Sequence, residues 1–316
     1  MPSKENYSGG IFGASSNGNA LNCYTTYKIS GEESGGIFGA YSSGNAITCY
    51  SLGEIGGTGA GGIYGSESSG IVTNSYSKGN ISGRGAGGIF GINTKQNAVA
   101  NYCYNNGKIC LQAIDAGGIF GNGSAGTAIG CTFNGRILGK GAGGIFGGVP
   151  LGNATNCSTN GIILGNLAGG IFGILSMGTA TNCSSSGLIL GEKAGGICGA
   201  FGTTYSSINN CISNGDISGY NSGGIIGSNS SSSINGCTST GLISGVGAGG
   251  IYGGYAGSLF LSPPCVVSNC ASTGNITGYY SGGIYGEYAS SGATVISSIS
   301  NGIVSAPYAG QTYGYR

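Results

Sequence analysis

Apolar residues return along this chain at a fixed interval, in runs too short for helices. A Gly-Gly-Ile triplet followed by an aromatic or apolar residue recurs eleven times. Its isoleucines are Ile11, Ile37, Ile63, Ile89, Ile119, Ile145, Ile171, Ile197, Ile225, Ile251 and Ile284, in steps of 26, 26, 26, 30, 26, 26, 26, 28, 26 and 33 residues. A degenerate copy puts Thr312 in the same column. Eight residues upstream runs a second column: Ile29, Ile55, Ile81, Ile137, Ile163, Ile189, Ile217, Ile243, Ile276 and Val304, with Ile109 displaced by a two-residue insertion. Six residues before that come Cys23, Cys49, Ser75, Cys103, Cys131, Cys157, Cys183, Cys211, Cys237, Cys270 and Ser298. Three earlier still is a column of small or branched residues, from Ala20, Ala46 and Val72 to Ile234, Val267 and Val295.

No segment keeps apolar residues at i, i+3, i+4 and i+7, and frequent Gly would cost a helix about 1 kcal/mol each. Strands of three to five residues broken by Gly, Asn and Ser turns fit the pattern. A single turn of this kind cannot bury its own apolar face, so its neighbours must stack in register. The pattern predicts an all-β chain: one right-handed parallel β-solenoid over residues 1–316, of about 11.5 rungs of about 26 residues, roughly 55 Å long. The largest insertion, residues 254–264, reads as a protruding loop.

Identical side chains then lie above one another. Asn22, Asn74, Asn156, Asn182, Asn210 and Asn269 suit a corner, where Asn tolerates left-handed backbone and bonds its copies on adjacent rungs. The Gly pairs before each isoleucine are expected at positive φ. Alternation along the strand is expected to send the isoleucines inward and the following Phe12, Phe38, Tyr64, Phe90, Phe120, Phe146, Phe172, Tyr252 and Tyr285 outward.

The run Asn74-Ser75-Tyr76-Ser77-Lys78-Gly79-Asn80-Ile81-Ser82-Gly83, followed by Gly87-Gly88-Ile89-Phe90-Gly91, resembles the repeats of the GLUG-motif family. The likeness covers nearly the whole chain. It implies a β-solenoid of the kind found in bacterial surface and secreted proteins, often adhesins.

Composition narrows the chemistry. Gly supplies 73 of 316 residues, charged residues are 6%, and there is neither His nor Trp. Ten Lys and Arg against nine acids give a net charge of +1. That leaves no basic stripe for nucleic acid. No run of 18 apolar residues is present, so no membrane-spanning helix is expected. The acids Glu5, Glu32, Glu33, Glu54, Glu67, Asp115, Glu192, Asp216 and Glu287 are scattered over different rungs. Without His or clustered carboxylates, an enzyme is not expected, and neither is a cofactor. No metal site is expected, given the lack of His, of Cys-x-x-Cys and of an Asp per turn. The column cysteines read as inert core thiols, since stacked Cβ atoms at ~4.8 Å are too far apart for disulfides. Cys110, Cys198 and Cys265 lie off the column, and Cys265, in the loop, is expected to be the accessible one. Sequons such as Asn80, Asn122, Asn153, Asn229 and Asn275 follow from a composition rich in Asn and Ser. A regular Thr-x-Thr face, as ice binding needs, is missing.

Three surfaces stand out. Leu138, Ile162, Leu164, Leu188 and Leu190 flank the second isoleucine column and form an outward apolar patch, expected to be a lateral interface. Leu259, Phe260 and Leu261 are expected to form a loop contact. The end rungs show no cap, so Ile11 and Phe12 of one rod are expected to meet Gly310 and Thr312 of the next. The sequence thus predicts a non-enzymatic structural protein that assembles head to tail into a filament or surface fibre. The alternative is a monomeric adhesin or carbohydrate-binding module of a larger cell-surface protein. Expected partners are copies of the chain itself and, in the alternative, surface glycans. An extracellular or particle-surface location is expected. Residues Met1 to Gly10 are polar, which points either to cytosolic assembly or to a processed fragment.

Overall fold

The computed structural model describes residues 5–257 and 265–315. Among these residues there is no helix, and 22 strands of two or three residues form two parallel sheets of eleven strands each. Strands alternate between the sheets. The first rung contributes β1 (Ala20–Leu21) and β2 (Tyr24–Thr25), and the last β21 (Thr294–Ile296) and β22 (Ile299–Ser300). Every sheet neighbour is the equivalent strand one rung away, which makes the fold a parallel β-solenoid.

Register follows the sequence columns. Ala20 pairs with Ala46, Ala154 with Ala180, and Ala180 with Ile208. Outside the sheets, single bridges stack Ile29 through Val304, Gly9 through Gly310, and Phe12 through Tyr313. Inserted residues leave this register intact: Ile109 bridges both Ile81 and Ile137. The isoleucine, Ala and Cys columns are buried through the interior rungs.

Three corners per rung hold residues at positive φ. In the second rung these are Glu33, Tyr41 and Thr48, at +56°, +61° and +54°. Such backbone costs an L-residue roughly 1–2 kcal/mol. Each corner amide is hydrogen-bonded to the next rung: Glu33 N–H to Thr58 O at 2.8 Å, Tyr41 N–H to Ser66 O at 2.9 Å, Thr48 N–H to Thr73 O at 3.1 Å. Asn22, Asn74, Asn156, Asn182, Asn210 and Asn269 all sit at the last of these corners, at +51° to +54°. Their amides do not bond one another. The ladder of side-chain hydrogen bonds lies elsewhere, with Asn134 donating to Asn106 at 2.9 Å, Asn160 to Asn134 at 3.0 Å, and Ser186 to Asn160 at 3.0 Å.

The aromatic column is not an outer ladder: Phe38, Tyr64, Phe90, Phe120, Phe146, Phe172, Tyr252 and Tyr285 are fully buried, like the isoleucines before them. The cause is a bend. Ile63 O accepts both Ile37 N–H (3.0 Å) and Phe38 N–H (2.9 Å). Two successive amides converging on one oxygen break the alternation that would have sent the second side chain outward.

The Gly pairs, in turn, are absent from the positive-φ residues. They are Gly because nothing else fits. A Cβ at Gly35 would lie 1.9 Å from Phe38 O, and one at Gly36 2.2 Å from Gly62 O of the next rung. Opposite the second Gly runs an inward column of small hydroxyls, including Ser185, Ser213, Ser239 and Ser272, whose Oγ atoms lack partners. A Cβ at Gly224 would stand 2.2 Å from Ser239 Oγ, so the two walls of the rod touch there.

The thiols of the Cys column point inward and donate to backbone carbonyls, as Cys131 Sγ does to Ala100 O at 3.2 Å. Cys265 is not accessible. It is fully buried, with its Sγ 3.8 Å from the Tyr285 hydroxyl. It immediately precedes strand β19 (Val266–Ser268), at a position that faces the core.

Candidate interaction surfaces

The first surface is an aromatic ladder that the sequence columns did not single out. Strands β2, β4 (Tyr50–Ser51), β6 (Tyr76–Ser77) and β8 (Tyr104–Asn105) each place a tyrosine outward and a small polar residue inward. Tyr24, Tyr50, Tyr76 and Tyr104 therefore stack along the rod. Their ring centroids are 4.9–5.0 Å apart and their planes within 8° of parallel. Tyr24 is 57% exposed and the other three about half-buried. Partial burial raises the phenol pKa of Tyr50 and Tyr104, and neighbouring rings add to the shift. Lys78 Nζ lies 5.3 Å from the Tyr76 ring centroid, a cation–π contact. Across the Asn corner, the other sheet adds exposed Leu21, Ile47 and Ile71. The signal was present in the sequence as a tyrosine after the Cys column in four successive rungs.

The second surface is the one expected from sequence. Bridges join Ile137, Ile163 and Ile189. Their flanking residues Leu138, Leu164 and Leu190 thus form one row, and Ile162 and Leu188 another beside it. Leu188 and Leu190 are each 41% exposed; Leu138, Ile162 and Leu164 are half-buried. The structure brings all five together on one outer face.

The third surface comprises the two end rungs. Ile11 is 48% exposed whereas Ile37, its equivalent one rung in, is fully buried. Phe12 stacks on Phe38 at 4.7 Å and keeps its other side partly open. At the opposite end Gly310 bridges Gly282, and Thr312 O accepts Ile284 N–H at 3.2 Å and Tyr285 N–H at 2.8 Å. Both are partly exposed. Leu259, Phe260 and Leu261 lie outside the described residues.

Charges concentrate along one edge, between the first two positive-φ corners. Glu33, Asp115 and Lys193 occupy the first corner on different rungs, and Glu67 the second. Ser66 donates to Glu33 Oε2 at 2.6 Å, and Lys95 Nζ is 2.6 Å from Glu67 Oε2. The Glu67 carboxylate, with burial and Glu33 behind it, pushes the Tyr41 phenol pKa up. Burial raises the Asp115 carboxyl pKa, against the pull of Arg84 and Lys140. On the face with the second isoleucine column, Glu54 accepts from Ser82 and pairs with Lys28 at 3.2 Å, and both contacts lower its pKa. Among the described residues, no three His, Cys, Asp or Glu side chains are placed to hold a metal ion. No helix there is long and apolar enough to cross a membrane.

No protein-family model matches the chain, and no curated protein and no solved structure is significantly similar to it.

Proposed function

We propose that this chain is a non-catalytic structural rod that associates with copies of itself into a filament or surface fibre, and that its rungs are GLUG-like. The observation that carries this reading is the outer tyrosine ladder with its apolar neighbours. Side chains repeated every 4.9–5.0 Å along the rod are matched over several rungs only by a surface of the same rise, which another copy of the rod supplies. The Leu138–Leu190 patch adds a second lateral contact. Rung-on-rung stacking, which holds the chain together internally, is the same contact that would join Ile11 and Phe12 to Gly310 and Thr312 of a second copy. Weak surface charge offers little to oppose either.

A glycan-binding adhesin is the second reading, favoured by the exposed tyrosines. In the ladder each ring covers its neighbour's face, so edges and hydroxyls are what a sugar would meet, and sugar stacking needs faces. That ranks it below self-association.

The test is electron microscopy and light scattering of the 316-residue protein and two variants. One carries Tyr50→Lys with Tyr76→Lys, the other Leu164→Lys with Leu190→Lys. Bundled or elongated particles are expected for the parent and thinner or single rods for the variants, at unchanged circular dichroism. Single rods for the parent at all concentrations would overturn the proposal.

A further inference from the structure

Seven of the chain's 20 tyrosines fall in the last 38 residues: Tyr279, Tyr280, Tyr285, Tyr288, Tyr308, Tyr313 and Tyr315. Two of them, Tyr285 and Tyr313, continue the inner aromatic column. Four others converge on the charged edge. Tyr280 and Tyr308 occupy the first positive-φ corner of successive rungs, Tyr288 occupies the second, and Tyr315 N–H bonds back to Tyr280 O at 3.3 Å. These four rings line an open hollow of about 340 Å³. The volume is within the range of small-ligand sites, about 300–1,000 Å³.

Ring orientation decides what could bind there. Tyr280 and Tyr308 lie 18° from parallel with centroids 5.3 Å apart. Tyr315 stands at 68°, 88° and 85° to Tyr280, Tyr288 and Tyr308, at 5.3, 5.8 and 6.0 Å. Rings set nearly at right angles around one space offer no flat platform to a sugar or a base. They surround a compact group with aromatic π-systems, whose faces are electronegative and attract a cation held within about 6 Å of their centroids.

A buried charge on the same rung has the matching sign. Glu287, between Tyr280 and Tyr288 on the same rung, is 4% exposed, and among the described residues no Lys or Arg pairs with it. Its carboxylate is seated over a missing side chain, since a Cβ at Gly247 would fall 2.7 Å from Glu287 Cδ. It accepts from the Tyr220 hydroxyl at 3.2 Å. The same carboxylate contributes to the raised phenol pKa values of Tyr220 and Tyr255, behind burial in both cases.

We propose that Tyr280, Tyr288, Tyr308 and Tyr315 form an aromatic cage for a compact organic cation of the alkylated ammonium class, with the carboxylate of Glu287, on the rung of Tyr280 and Tyr288, supplying negative potential. The cation presents weakly hydrated methyl groups to the rings and needs no hydrogen-bond donor or acceptor from the wall. This site is separate from the lateral faces of the rod and does not rest on self-association.

Choline is the probe, titrated into the intact chain by calorimetry and by NMR of the tyrosine rings, beside its uncharged isostere with carbon in place of nitrogen. Saturable binding of choline is expected, with the isostere at least about tenfold weaker. Tyr288→Ala and Tyr308→Ala should each weaken choline by about tenfold, Tyr308→Phe by less than about threefold, and Glu287→Gln by about threefold. Tyr205→Ala, at an exposed tyrosine on another rung, should change nothing. Circular dichroism shows which variants keep the fold. Should Tyr288→Ala and Tyr308→Ala both unfold the rod, the parent's preference for choline and the location of its shifted tyrosine signals still decide. Equal affinity for the isostere, no saturation up to about 100 mM choline, or an equal loss in Tyr205→Ala would each overturn the cage.

Discussion

Two aromatic ladders run along this rod, one inside and one outside, and their stacking is nearly the same. Inside, Phe38 and Tyr64 are 4.4 Å apart and 4° from parallel, and Phe90 and Phe120 are 4.8 Å apart at 2°. Outside, Tyr50 and Tyr76 are 4.9 Å apart at 2°. Burial is therefore not what stacks the rings; the rise of the rungs is. What burial changes is which residues a column accepts. The inner column turns from Phe to Cys198 and Ile226 and back to Tyr252 without admitting a charge. Where it admits a buried tyrosine, the hydroxyl reaches a carbonyl, as Tyr64 does to Gly44 O and Tyr285 to Thr294 O at 2.8 Å. The outer column passes from Tyr104 to Thr132, Ser158 and Ser184. Other rungs stack in the same register with small polar residues at this position.

The sharpest break of this comparison is to put a charge inside. Ile145→Asp should unfold or truncate the rod, since a buried unpaired carboxylate costs several kcal/mol and interrupts the isoleucine column. A native denaturation midpoint for this variant would refute the inward assignment. Next, Phe120→Ala should cost about 3–5 kcal/mol in urea unfolding, from lost burial and the cavity left behind. The matching outer change, Tyr76→Ala, should cost no more than about 1 kcal/mol. Equal losses would mean that the outer ladder is part of the scaffold.

Cys157→Ala should be milder than Phe120→Ala, on the order of 1 kcal/mol, because a thiol in this column acts as a small apolar group. The smallest effect belongs to the charged edge. Burial raises the folded-state pKa of Asp115, so the ionised form is disfavoured in the rod relative to the unfolded chain. Asp115→Asn should raise the melting temperature slightly at neutral pH. That gain should shrink as pH falls through the raised folded pKa and vanish below the ordinary Asp value of about 3.9. A gain that persists in acid would mean that burial of the carboxylate is not its source.

Much of the fold was legible because burial and register repeat with the residues. The four columns read from the sequence are four of the inward positions, and the pairing of Ala20 with Ala46 or Ile163 with Ile189 follows from their spacing. The facing of Phe38 was not legible, because it depends on a backbone bend at Ile37. Alternation, the only rule available for a two-residue apolar run, gave the opposite answer. The Gly pairs misled for a related reason: a close approach between rungs and a positive φ select the same residue. The Leu138–Leu190 patch was visible as a departure from a polar column. The Tyr280–Tyr315 cluster was not, since it joins two corners that lie seven or eight positions apart in each rung.

The converging pair of amides at each isoleucine carbonyl also bears on mechanics. Because Ile63 O holds both Ile37 N–H and Phe38 N–H, a rung loses its hydrogen bonds to its neighbour as a set. Pulled by one end in an optical trap, the rod should yield in discrete events, each freeing one repeat of 26 residues. At about 3.3–3.6 Å of extended chain per residue, each event would lengthen the tether by roughly 90 Å. The steps spanning the longer repeats, such as that from Ile251 to Ile284, would be proportionately larger.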